Sequence, residues 1–98
     1  MTYDEFKNSL NEQTAPETLS PALKALWTDG AGDWEAAHTV IQDHQDGDGA
    51  WVHAYLHRKE GDASNARYWY KRADKPIFEG ALEAEWESIT RALLETQS

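Results

Sequence analysis

Apolar residues recur along this chain three and four positions apart, and no stretch of useful length alternates apolar with polar at period two. That pattern predicts helices rather than strands. Thr2 is placed to cap a short first helix bearing Tyr3, Phe6 and Leu10, after which residues 11–18 (NEQTAPET) are polar and read as a linker. Ser20-Pro21, an N-cap followed by proline at the first helical position, opens a second helix. Its stripe is Leu23, Leu26 and Trp27, and it runs out at Asp29-Gly30-Ala31-Gly32. Asp33 caps a third helix with Trp34, Ala37, His38 and Ile41 on one face, and Asp46-Gly47-Asp48-Gly49 breaks it. A fourth helix over about 50–60 carries Trp51, Val52, Tyr55 and Leu56 and stops at Gly61. Asp62 caps the fifth, striped by Ala66, Trp69, Tyr70 and Ala73, with Pro76 just beyond its end. The last, over about 78–96, presents Phe78, Leu82, Trp86, Ile89 and Leu93, and its early Glu79, Glu83 and Glu85 suit the positive end of a helix dipole.

The expected organisation is therefore all-α, five to six helices in one domain spanning 1–98. Residues 1–19 form a helix and linker, 20–45 a first hairpin, 48–76 a second, and 77–98 a C-terminal helix. Gly32-Asp33 laid over Gly61-Asp62 aligns the two hairpins at a period of 29, with Ala37 on Ala66 and Ile41 on Tyr70. A small residue one turn inside each helix lets two antiparallel helices joined by a tight turn approach closely.

Residues 50–76, AWVHAYLHRKEGDASNARYWYKRADKP, resemble a tetratricopeptide-type repeat in Ala54 opposite Ala66, the Gly61-Asp62 turn, Tyr70, Ala73 and the following proline. This unit is about a quarter of the chain; residues 21–45 match it less well, and the period is shorter than the usual ~34. The resemblance implies helical hairpins stacked in a right-handed array. The run from His53 to Ala73 is also similar to a small uncharacterised protein family bearing a near-identical HAYLHRKEGD…NA.YWY.RA stretch, which implies the same fold and supplies no catalytic residues.

Charge narrows the functional classes. Lys plus Arg is 9 against 18 for Asp plus Glu, a net charge of −9 that repels nucleic-acid backbones. No apolar run reaches the ~18–20 residues a membrane helix needs. An acidic amino terminus and the absence of Cys fit a cytoplasmic, reducing setting and exclude thiol chemistry. The distribution says more than the total: residues 1–57 hold ten acids and two bases, whereas 58–75 hold Arg58, Lys59, Arg67, Lys71, Arg72 and Lys75 against three acids. At 100° per residue Tyr68, Lys71, Arg72 and Lys75 share the face opposite the fifth helix's apolar stripe, suited to an anionic ligand or an acidic peptide. The competing reading pairs these cations internally with Glu79, Glu83 and Glu87 of a final helix packed beside them.

His53 and His57, four residues apart, can face one ion, and hairpin geometry brings His38 near them with Glu60 one turn on. Ala54 after His53 excludes the metalloprotease pattern. Packing histidines are the expected outcome, with no metal, no cofactor and no stabilisation by zinc. Asp43 to Gly49 alternates carboxylates with glycine but fits no calcium-loop register, and Asn65 reads as structural. No phosphate loop, serine elbow or dinucleotide fingerprint is present.

The expected function is a non-enzymatic helical-repeat protein that mediates protein–protein interaction or self-association, such as homodimerisation. Five tryptophans exceed what so small a core can centre, so some should be partly exposed at an interface. The alternative is a small-molecule, anion or metal site, with or without catalysis, on the 50–75 hairpin. The binding candidates are His53, His57, Arg58, Arg67, Tyr68, Lys71, Arg72 and Lys75, with His38, His53 and His57 as the metal set.

Overall fold

Side-chain caps set most of the helix starts. Thr2 accepts the Glu5 amide at 3.1 Å while Glu5 accepts the Thr2 amide at 2.8 Å, a reciprocal capping box. Ser20, Asp33, Asp46 and Asp62 each accept the amide three residues on. The computed structural model describes residues 1–97, all of whose regular structure is helical. The elements are α1 (Tyr3–Ser9), α2 (Pro21–Gly30), α3 (Trp34–Gln42), α4 (Gly47–Lys59), α5 (Ala63–Ala73) and α6 (Leu82–Gln97).

Two connections of three residues, 31–33 and 60–62, fold α2 onto α3 and α4 onto α5. Their backbones match closely. Gly32 and Gly61 have φ of +96° and +90°, conformations that disfavour any side chain. The next amide reaches back to close the preceding helix, Asp33 to the Thr28 carbonyl at 3.1 Å and Asp62 to that of His57 at 2.9 Å. Each aspartate then caps the following helix, so one Gly-Asp pair ends one helix and starts the next.

The larger core cluster includes Phe6, Leu23, Leu26, Ile41, Val52, Leu56, Ile89 and Leu93. A smaller one, between α4 and α5, holds Ala50, Ala54, Ala66, Trp69, Tyr70 and Ala73. Its alanines leave room for the two large rings.

Two expected boundaries move. Asp46-Gly47-Asp48-Gly49 does break α3, but α4 already begins at Gly47 because Asp46 caps it. The last helix begins at Leu82, not near 78. Residues 75–81 are irregular, and Arg58 holds them: its guanidinium donates to the Gly80 carbonyl and lies 5.6 Å from the Phe78 ring centre. Glu79 thus precedes the helix, and the acids of the first turn are Glu83 and Glu85. Nor does α6 lie mainly along α5; it packs on α4, α2 and α1, and touches α5 where Tyr70 donates to Glu85. Among the described residues no helix is long and apolar enough to cross a membrane.

Two glycines of α4's first turn make opposite predictions. A Cβ at Gly49 would drive into the His44 backbone carbonyl, whereas nothing lies within 4 Å of one at Gly47. Gly49→Ala is expected to destabilise by about 1–3 kcal/mol or more through overpacking. Gly47→Ala is expected to stabilise by roughly 0.4–1 kcal/mol by restricting the unfolded chain. Urea titration of the two variants checks both signs.

Candidate functional site

α3 and α4 bring three imidazoles together. His38 projects from α3, and His53 and His57 project one turn apart from α4. The Nε2 atoms of His38 and His53 are 3.1 Å apart. The His53 and His57 rings stack at 4.8 Å with an interplanar angle of 17°, and the His38 ring stands edge-on to both, at 4.9 and 5.3 Å. One ring nitrogen from each histidine lies within 4.8 Å of the other two. A second group, His57, Glu60 and Asp62, meets the same spacing at a more exposed position.

Tryptophans wall the cluster. Trp34 stacks on His38 at 5.1 Å and donates its Nε1–H to the Leu56 carbonyl at 2.8 Å, fixing the indole. Trp69 stacks on His53 at 3.9 Å from the α5 side. The Glu60 carboxylate accepts the Nδ1–H of His57 at 2.7 Å. His53 is buried, and its Nδ1 has no hydrogen-bond partner. Burial, helped by the neighbouring His57 and His38, lowers the His53 pKa to about 4. His38 is lowered too, by burial and then by His57, against an upward pull from Glu60.

The remaining candidates do not join this cluster. Arg58 turns away to Glu85, at 3.0 Å, and to Gly80. The cations of α5, with Lys75 just beyond it, divide into two groups. Arg72 donates to the Tyr68 hydroxyl at 3.2 Å and to Gln45 at 3.1 Å, and its guanidinium lies 5.4 Å from the Trp69 ring centre. Arg67, Lys71 and Lys75 line an open depression of about 640 Å³ with Tyr70, Asp74, Pro76 and Ile77. The Lys75 ammonium sits 4.4 Å from the Trp51 ring centre.

No ion pair among the described residues involves Arg67, Lys71, Arg72 or Lys75, so the internal pairing with Glu79, Glu83 and Glu87 is absent there; Glu87 instead binds Arg91 at 2.7 Å. Trp27, Trp69 and Trp86 are buried, and Trp34 and Trp51 are half-buried against the core. Asn65 bonds the Asp62 carboxylate that caps its own helix, and Asp46 of the acidic loop serves as the α4 cap. Sequence spacing brings the imidazoles together; the indole walls lie outside its reach, because Trp34 and Trp69 fall on apolar stripes that read as core.

No protein-family model, curated protein or solved structure matches this chain. The geometry alone therefore carries the functional argument.

The buried imidazole makes stability depend on pH. His53 titrates at about 4 in the folded protein against ~6.5 when unfolded. Over that interval the unfolded chain binds more protons, so stability is full above about pH 6.5 and falls as pH drops toward 4. In chelator-dialysed protein, melting temperature is expected to decline measurably between about pH 7 and 5.5, before ordinary carboxylates titrate. His53→Phe, which keeps a ring against Trp69, is expected to flatten that decline.

Proposed function

We propose that the protein is a non-enzymatic, tetratricopeptide-like helical-repeat protein that binds an acidic segment of a protein partner along α5. The observation that carries this reading is a cationic surface without internal counter-ions on a chain of net charge −9. In such a chain, cations free to choose would be expected to neutralise nearby acids. Tyr68 and Ile77, 55% and 51% exposed, are with Met1 the bulky apolar side chains left in solvent among the described residues. Tyr68 bonds Arg72, and Ile77 borders the depression beside Lys75. Cations flanked by two apolar side chains suit a peptide that alternates carboxylates with aliphatic or aromatic residues. The matching Gly-Asp turns support the repeat reading, and the absence of cysteine fits a reducing compartment.

Trp51, under Lys75, gives the test an internal reporter. Titrating an acidic peptide that contains Leu and Phe is expected to change tryptophan fluorescence saturably, with affinity falling as salt is raised. Lys71→Glu combined with Lys75→Glu should weaken binding by about tenfold or more while lowering thermal stability only slightly, since neither lysine has a carboxylate partner to lose and only the Lys75 contact with the Trp51 ring goes. No binding even at low salt overturns the proposal, as does a double variant that binds like the parent. Peptide-independent, concentration-dependent growth in mass that the double variant abolishes would assign the surface to a second copy of the chain instead.

A further inference from the structure

The imidazole cluster is under-satisfied as a hydrogen-bond network. Three neutral imidazoles carry three N–H donors and three lone pairs. The structure provides one contact between His38 and His53 and one from His57 to Glu60, and the buried Nδ1 of His53 has none. The unpartnered Nδ1 lies across the His53 ring from the Nε2 that faces His38, so the case for a ligand rests on the nitrogens that converge, not on that atom.

The spacing fits an ion. Two nitrogens bound tetrahedrally at 2.0–2.1 Å lie about 3.3–3.4 Å apart, and the His38 and His53 Nε2 atoms are already at 3.1 Å. The third nitrogen lies within 4.8 Å of its partners and must close toward them for one ion to bind all three. His57 is prepared for it. Donating Nδ1–H to Glu60 leaves its Nε2 as the lone pair, the tautomer that a carboxylate imposes on a metal-bound histidine. Stacking against Trp34 and Trp69 restrains the other two rings. His38 is only half-buried, which leaves a path for the ion and a position for water.

We propose that His38, His53 and His57 form a divalent transition-metal site, binding Zn2+ or a comparable borderline ion through three imidazole nitrogens. Glu60 orients His57, and water takes the fourth position. An all-imidazole set without thiolate selects such ions over Ca2+ or Mg2+, which prefer oxygen. The site goes beyond the α5 binding surface and reverses the expectation from sequence, where neither the nitrogen separations nor the carboxylate contact was visible. The ion would join α3 to α4 across the connection at 43–46, adding a cross-link between the halves of the chain.

Titration of chelator-dialysed protein with zinc alone, followed by calorimetry and thermal unfolding, tests the site. Saturation at one ion per chain with a rise in melting temperature is expected, because a ligand that binds only the folded state stabilises it. Cobalt in place of zinc should give the strong visible absorption of a tetrahedral site. His38→Ala, at the half-exposed position, should keep the helical circular dichroism and lose at least about a hundredfold in affinity. Glu60→Gln should weaken binding by about 10–100-fold, as loss of an orienting carboxylate does. No saturable binding by the folded parent overturns the proposal. So does binding that survives both His38→Ala and His57→Ala, which would place the ion elsewhere, for instance among the carboxylates of residues 43–48.

Discussion

Glu85 is fully buried, and much of the structure is arranged around keeping its carboxylate tolerable there. An unpaired buried charge costs several kcal/mol, whereas a paired and fully bonded one approaches neutrality. Arg58 from α4 supplies one donor at 3.0 Å and Tyr70 from α5 supplies another. Burial still pushes the Glu85 pKa upward, while both partners pull it down. Their contacts join α4, α5 and α6 at one point. Because Arg58 also holds the Gly80 carbonyl and packs on Phe78, the same interaction pins the irregular 75–81 segment and delays α6 to Leu82. That delay removes Glu79 from helix α6 and leaves the α5 cations without the carboxylates that a longer, closer helix would bring.

A second buried carboxylate repeats the logic on another face of α4. Asp29, at the end of α2, accepts the Tyr55 hydroxyl and the Lys59 ammonium, each at 3.0 Å. α4 therefore presents Tyr55 and Lys59 to α2, Arg58 to α6, and His53 and His57 to α3 and α5. From Gly49 to His57 every residue but the half-buried Trp51 is buried, which explains why its hydrophobic stripe is indistinct although it is the helix most surrounded by others. Arg58 and Lys59 are spent on internal ion pairs, whereas Arg67, Lys71 and Arg72 of α5 make none among the described residues. The basic hairpin of the sequence is thus two populations with different work.

Local chemistry was legible from sequence, and tertiary electrostatics were not. Thr2, Ser20, Asp33 and Asp62 mark helix starts because capping depends on residues three apart, and Gly32 and Gly61 mark turns because few other residues accept their φ. His38, His53 and His57 could be placed together from helical spacing and a short connection. The start of α6 could not, since Phe78 and Leu82 have helical spacing while the contacts that hold residues 78–80 outside the helix come from Arg58, twenty residues upstream of Phe78. Gly49 looked like a helix breaker and proves to be a helix residue, required because the chain at His44 passes too close for a Cβ.

Two tryptophans, Trp34 and Trp51, are partly exposed, as a count of five implies, but each indole also has a defined packing role. Counting five indoles in a small chain suggests surplus aromatic area for an interface. Three of them instead act as amphipathic spacers whose N–H meets a defined acceptor: Trp27 to the Ser9 hydroxyl at 2.9 Å, Trp34 to the Leu56 carbonyl at 2.8 Å and Trp86 to the Leu26 carbonyl at 2.9 Å. Trp69 lies between the His53 ring at 3.9 Å and the Arg72 guanidinium at 5.4 Å, and Trp51 is covered by Lys75. In a chain too short to bury many aliphatic side chains, an indole fills volume, satisfies a carbonyl and offers a π face to a cation at once. The bulky apolar side chains most exposed among the described residues are Tyr68, Ile77 and Met1 rather than any indole. Trp69 thus touches both the imidazole cluster of α3 and α4, through His53, and the cations of α5, through Arg72, so one α5 side chain links the two candidate sites.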